Sequence, residues 1–108
     1  MKNPYPNEKF SNAILSMATS TARIQDRIRD AYVYQLIHVN VEDLPESVRG
    51  AFLFLEKELD VNNPIGGKGS VEITTEQMST EKAIDIAQQI FGIFQDIQIE
   101  YYESIYKR

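Results

Sequence analysis

A heptad register runs through the first third of the chain and returns in its last quarter, with mostly apolar residues in alternating steps of four and three. The first run comprises Phe10, Ile14, Met17, Thr21, Ile24, Ile28, Ala31 and Gln35, and the second comprises Ala83, Ala87, Ile90, Phe94, Ile97 and Tyr101. Such spacing keeps one stripe of an α-helix directed at a partner helix. It predicts an all-α fold: a bundle of two long antiparallel helices with a shorter one between them.

The first long helix is expected over about residues 7–39, after an extended N-terminal arm over residues 1–6, with Asn7 as its cap. The bundle then forms a single domain over residues 7–108. Serine and threonine are weak helix formers, so the helix is expected to bend, or to break near Thr19 and give four helices. The heptad register nevertheless continues through this segment, which contains neither Gly nor Pro, and both observations argue against a turn.

A shorter second helix is predicted to start at Asp43–Glu46, where Asp can cap and Pro45 suits the first turn, and to end near Asp60. Residues 61–70 contain Pro64 and three glycines and predict a loop. Residues 71–74 alternate in polarity and predict a short extended segment, and residues 32–41 are rich in strand formers, which leaves a strand open there.

The last helix is expected to begin with Ser79 as its cap and to run to about Tyr106. Between the helices we expect a core formed by large apolar side chains from all three stripes. Its predicted members are Ile24, Ile28, Phe52, Leu55, Ile90, Phe94 and Ile97.

Composition excludes several classes of function. The chain has no cysteine, which removes disulfides and thiol chemistry and fits a reducing cytoplasm. No apolar run resembles a signal peptide or a membrane span, so no membrane partner is expected. The net charge of −5 arises in residues 55–108, which hold ten acids and five bases, whereas residues 1–54 hold six of each. An acidic surface repels phosphate backbones, so no nucleic-acid partner is expected.

Candidate chemical sites are few, and we predict no catalytic residue, cofactor or metal site. The loop Gly66–Ser70 lacks the spacing of a phosphate-binding Walker loop. The single histidine, His38, has no nucleophile or carboxylate fixed beside it, and we expect it to contact carbonyls at a helix end. Arg23, Arg27 and Arg49 are a possible anion contact, with surface ion pairs as the alternative.

The expected function is that of a non-enzymatic helical interaction or adaptor protein, which self-associates as a homodimer and binds an unidentified protein partner. The short helix cannot cover both long helices, and the last helix is apolar beyond its heptad stripe, so exposed apolar residues remain for a second copy. The expected interface comprises Phe10, Ile14, Met17, Phe91, Tyr102, Ile105 and Tyr106.

Two other functions remain open. One is a ligand-binding or catalytic bundle with Arg23, Arg27, Arg49 and His38 around a pocket. The other is an acidic inhibitor or antitoxin that blocks a basic partner through its second half. A concave pocket beside the arginines would favour the first of these, and a continuous acidic face on the last helix would favour the second.

Overall fold

The structure, a computed structural model, describes residues 4–61 and 69–106, and every regular element in these ranges is helical. About 82% of the described residues are helical, which confirms the all-α prediction. The α-helices are α1 (Tyr5–Thr19), α2 (Ile24–Tyr34), α3 (Glu46–Glu58), α4 (Ser70–Glu76) and α5 (Thr80–Tyr106), with short 3₁₀ turns at Leu36–His38 and Val41–Asp43. Most of the predicted loop, residues 62–68, lies outside the described residues.

A continuous first helix is wrong, and the break near Thr19 is correct. The backbone is extended at Ser20 and again at Arg23, the residue before α2. Two side chains stabilise the linker: Ser20 Oγ accepts a hydrogen bond from the Ala22 N–H at 3.1 Å, and Arg27 Nε donates to the Ala22 carbonyl at 2.6 Å. These bonds replace helical ones, as expected where serine and threonine compete for the backbone.

Smaller differences concern helix ends. Helix α1 begins at Tyr5, so the predicted extended arm does not reach residue 6, and Asn7 accepts a hydrogen bond from Gln98 Nε2. Residues 71–74 lie in helix α4, and residues 32–41 contain no strand, so both extended interpretations are wrong. Helix α3 begins after Pro45 without a side-chain cap, so the predicted Asp43 cap is also wrong.

The last helix is as predicted, because α5 runs from Thr80 to Tyr106 and Ser79 Oγ accepts a hydrogen bond from the Lys82 N–H at 3.0 Å.

Helix α5 is the element that α1, α2 and α3 all contact, while α4 packs on α2. Asn7 near the start of α1 meets Gln98 near the end of α5, so these helices run antiparallel. Helix α3 is antiparallel to α5 as well, since Ser47 Oγ donates to Glu100 Oε1 at 3.1 Å and Glu58 meets Lys82 at the opposite end.

The core contains five of the seven predicted residues in fully buried positions: Ile28, Phe52, Leu55, Ile90 and Ile97. Ile24 and Phe94 are only half-buried and pack against its edge. The inner face of α5 consists of Ala83, Ile86, Ile90, Ile93 and Ile97. Relative to the predicted stripe, the helix is rotated so that Ile86 and Ile93 replace Ala87 and Phe94 at the centre.

Leu55 and Leu53 allow a matched test of this core, because they lie on opposite sides of α3 with 0% and 52% exposure. Leu55→Ala is expected to lower the free energy of unfolding by about 2–5 kcal/mol, since it leaves a cavity. Leu53→Ala is expected to change it by about 0.5 kcal/mol or less. Urea denaturation followed by circular dichroism measures both, and equal losses would contradict the assigned orientation of α3.

Candidate functional site

The outer side of α5 carries a row of uncharged residues that the rest of the described chain leaves exposed. With about 3.6 residues per turn, these positions fall within a sector of roughly 120°, turned away from the inner face. We call this row the α5 stripe, and it comprises Ile84, Gln88, Phe91, Gln95, Ile99, Tyr102, Ile105 and Tyr106. Its six large apolar side chains are between 45% and 71% exposed.

The C-terminal end of the stripe is an aromatic cluster. The rings of Tyr102 and Tyr106 stack at 5.9 Å with an angle of 4° between their planes, and Tyr101 meets Tyr102 edge-on at 6.0 Å. Every residue from Tyr102 to Tyr106 is exposed, so this end of α5 extends past the other described helices. Tyrosine offers a large apolar surface together with a polar hydroxyl, which suits it to protein interfaces.

From Ile84 onward the charged residues of α5 avoid the stripe, whereas Glu81, in the first turn of the helix, lies within the same sector. Beyond Ile84 the helix carries Asp85, Asp96, Glu100 and Glu103, all acidic, at roughly 100–160° from the centre of the stripe. They form one edge, which we call the acidic edge. Depletion of charge at the centre with charge at the rim is the pattern of protein–protein interfaces.

In the described part of the chain, a groove lies on either side of α5, and Gly92 borders both. The larger, the α3/α5 groove, has a volume of about 600 Å³ and apolar walls that include Ala51, Phe54 and Ile93. The smaller, the α2/α5 groove, has a volume of about 350 Å³ and lies between Ile24 and the side chains of Ile84, Gln88 and Phe91. The outer surface of α5 therefore presents a protruding row with hollows on both sides.

The space over Gly92 is open. A Cβ built on this residue would have no atom of the described chain within 4 Å, other than those of its own helix turn. A glycine in a helix allows a neighbouring backbone or ring to approach closely, and none of the described residues does so here. A glycine inside a helix costs about 1 kcal/mol relative to alanine, and no contact of the described residues offsets that cost.

One wall of the α3/α5 groove is polar. Lys82 Nζ donates to Glu58 Oε2 and lies 3.5 Å from Asp85 Oδ2, while Gln89 Nε2 donates to Glu58 Oε1 at 2.7 Å. The hydrogen bonds from Lys82 and Gln89 lower the pKa of Glu58, and the bond to Glu58 raises the pKa of Lys82. Since its donors and acceptors are already paired, this cluster ties α3 to α5.

The predicted interface residues divide into two groups. Phe10 and Met17 are buried by their own chain and Ile14 is half-buried, so these three do not form an exposed face. Because the first helix is divided, α1 packs on α5 within one chain. The expectation that its apolar residues need a second copy to cover them therefore no longer applies to α1.

Phe91, Tyr102, Ile105 and Tyr106 are exposed and share the α5 stripe. The predicted interface did not include Ile84 and Ile99, which also belong to the stripe. A second heptad register through residues 84, 91, 98 and 105 would have indicated a second face of α5.

The predicted anion-contact residues bond within their own segments. Arg23 pairs with Asp26 at 3.1 Å, and Arg27 bonds the linker carbonyl described above. Arg49 donates to the carbonyls of Leu44 and Glu42 at 3.0 and 2.9 Å, which stabilises the entry to α3. These bonds favour a structural role for the three arginines over a contact with an anion.

The side chain of His38 is exposed, and it has no hydrogen-bond partner among the described residues. The predicted contact with helix-terminal carbonyls is therefore absent from that part of the chain.

Residues 4–61 and 69–106 contain no group of three or more His, Asp or Glu side chains placed to hold a metal ion. In the same ranges no helix combines the length and apolar character needed to cross a membrane. The chain has no significant match to a family model, to a curated protein or to a solved structure.

The Glu58–Lys82 pair predicts a pH dependence of stability. Because folding lowers the pKa of Glu58, its contribution is complete above the ordinary glutamate pKa of about 4.3 and is lost as the pH falls through the lower folded value. Near pH 7, Glu58→Gln is expected to lower the free energy of unfolding by about 0.2–1 kcal/mol.

Urea denaturation of both proteins between neutral pH and pH 3 would measure this, and the difference is expected to shrink in the acidic range. Glu42→Gln, at an exposed carboxylate, is the control and is expected to differ little from the unmodified protein at any pH. A deficit for Glu58→Gln that stays constant down to pH 3 would contradict the assigned role of the carboxylate charge.

Proposed function

We propose that this chain is a non-enzymatic helical interaction protein that self-associates as a homodimer through the α5 stripe. The observation that carries the proposal is the exposed, uncharged outer face of the longest helix, rimmed by acids. Residues of this kind, apolar and aromatic at the centre with charge at the rim, resemble the composition of protein interfaces.

The exposed area supports a second copy as the occupant. The exposed parts of the six large apolar side chains amount to roughly 500–800 Å², if each side chain has the 150–250 Å² typical of an aromatic one. A stable interface of ordinary size buries about 800 Å² on each partner, so the stripe with its two glutamines approaches that size. A two-fold axis would bring the same patch of both chains together.

Self-association also agrees with the charge of the chain. In an isologous contact every residue faces the same surface of its partner, so an acid at the centre of the interface would bring like charges together. The net charge is −5, yet the centre of the stripe has no charged residue and the acids stand along one edge.

A second candidate, an acidic protein that binds a basic partner, is favoured by the acidic edge of α5. This edge holds Asp85, Asp96, Glu100 and Glu103 without a lysine or arginine between them. A basic partner would pair with it across the rim, and its binding would weaken with added salt.

The ligand-binding alternative gains less support, because the hydrogen bonds described for Arg27 and Arg49 are donated to backbone carbonyls of their own segments. We further propose a cytoplasmic location, which a chain without cysteine fits.

Sedimentation equilibrium across the micromolar range tests self-association. The unmodified chain is expected to approach twice the mass of one 12.4 kDa chain as the concentration rises. Phe91→Asp places a charge at the centre of the stripe and is expected to weaken association by about thirtyfold or more, as for a residue at the core of an interface.

Leu53→Asp is the matched control, since Leu53 is also about half exposed but lies on α3 away from the stripe. It is expected to leave the dissociation constant within about threefold of the original value. A clean monomer across the whole range for the unmodified chain would refute the homodimer, and equal effects of the two substitutions would refute the α5 stripe as its interface.

A further inference from the structure

The two ends of the α5 stripe differ in shape. At the C-terminal end the exposed rings of Tyr102 and Tyr106 lie on a segment that extends past the other described helices. In the N-terminal half, Ile84 and Phe91 border the α2/α5 groove. We infer that two copies pair their α5 helices antiparallel about Gln95, so that the tyrosine end of each copy covers the groove of the other. This inference rests on the proposed self-association and fixes its direction and register.

The spacing of the stripe permits this pairing at every level. From Ile84 to Tyr106, its successive residues other than Ile105 are 4, 3, 4, 4, 3 and 4 positions apart. The pattern reads the same in both directions from Gln95, so an antiparallel copy sets each residue of the row level with another residue of the row. Its 11-residue period lies close to three helical turns, which keeps the row nearly straight along the helix. Glu81 lies three residues before Ile84 and is therefore outside the paired length.

The direction of pairing follows from the two unlike ends. In an antiparallel pair Tyr102 lies level with Gln88 of the other copy, at the α2/α5 groove. The walls of this groove include Ile24 and Ala87 and are largely apolar, which suits the face of a tyrosine ring. A parallel pair would instead set groove against groove and leave the two tyrosine ends in contact only with each other. Under a two-fold axis the antiparallel contact forms twice, once at each end.

The two glutamines of the row gain hydrogen-bond partners in this register. Among the described residues neither Gln88 nor Gln95 has such a partner. Gln95 lies at the two-fold axis, where the amide of each copy can donate to the carbonyl oxygen of the other. Gln88 lies level with Tyr102, whose hydroxyl can both donate and accept. The register therefore satisfies the polar groups that the interface buries, which is the condition for burying them at low cost.

The acidic edge stays out of the contact. The acid closest to the two-fold axis, Asp96, follows Gln95 in sequence and lies about 100° further around the helix. Both acidic edges lie on the same side of an antiparallel pair. With helix axes about 8–10 Å apart, exposed carboxylates at that angle are about 10 Å apart or more, beyond the Debye length of about 8 Å at physiological ionic strength. A parallel pair would instead set each acidic edge against the uncharged edge of the other copy, where Phe94 is half-buried.

Single cysteines test the register, because the chain has no cysteine of its own. A disulfide requires Cα atoms no more than about 7 Å apart. In the inferred pair the two copies of residue 95 meet, whereas the two copies of residue 88, or of residue 102, are about 20 Å apart along the helices. Under mild oxidation above the dissociation constant, followed on non-reducing gels, Gln95→Cys is expected to form a covalent dimer about tenfold or more faster than Leu53→Cys, the half-exposed control on α3. Gln88→Cys and Tyr102→Cys are expected to do so only when mixed with each other.

Sedimentation equilibrium of the unmodified chain and the reduced variants separates the possible failures. If the chain dimerises and Gln88→Cys crosslinks with itself as fast as Gln95→Cys, the pair is parallel, and the inference is wrong while self-association stands. If the chain dimerises but Gln95→Cys reacts no faster than Leu53→Cys, the register about Gln95 is wrong. If the unmodified chain stays monomeric across the micromolar range, the proposed function and this inference both fail.

Discussion

Burial of the inner face of α5 is the interaction on which the rest of the structure depends. Ile86, Ile90 and Ile97 have no exposed surface, and each such side chain contributes roughly 1.5–3 kcal/mol on burial. Helices α1, α2 and α3 all contact this helix, and the hydrogen bonds of Asn7 and Ser47 place α1 and α3 antiparallel to it. Because these contacts are concentrated on one side of α5, its opposite side is left without cover, and the α5 stripe lies there.

The sequence predicted α3 and α5 to within a few residues but left open whether the first helix is continuous or divided near Thr19. The reason lies in the length of the linker at residues 20–23, which is close to one helical turn of about 3.6 residues. A linker of that length leaves the heptad spacing of the apolar residues unchanged. Met17 and Ile28 therefore fit one register although they belong to different helices. The break is stabilised by the hydrogen bond that Ser20 Oγ accepts from Ala22 N–H and by the one that Arg27 donates to the Ala22 carbonyl. Hydrophobic periodicity carries no information on such side-chain-to-backbone bonds.

The candidate surface was predictable in part. Phe91, Tyr102, Ile105 and Tyr106 were expected at an interface and are exposed, whereas Phe10 and Met17 are buried because α1 packs within the same chain. Isoleucines occur on several sides of α5, so the sequence alone does not determine which side of this helix faces the core. The open space over Gly92 is likewise a property of packing. The sequence shows only that a glycine is present, which destabilises a helix relative to alanine, and it does not show what surrounds that glycine.

The overhanging end of α5 has a consequence for local dynamics. Residues 102–106 are exposed on every side, so their helical hydrogen bonds receive no support from burial against the other described helices. Helix ends of this kind open with free energies far below that of global unfolding. Amide hydrogens there should exchange with solvent long before those of the segment around Ile90. A partner seated on the tyrosine cluster would slow that exchange, so the folding of the last turns of α5 and the occupancy of this surface are thermodynamically coupled.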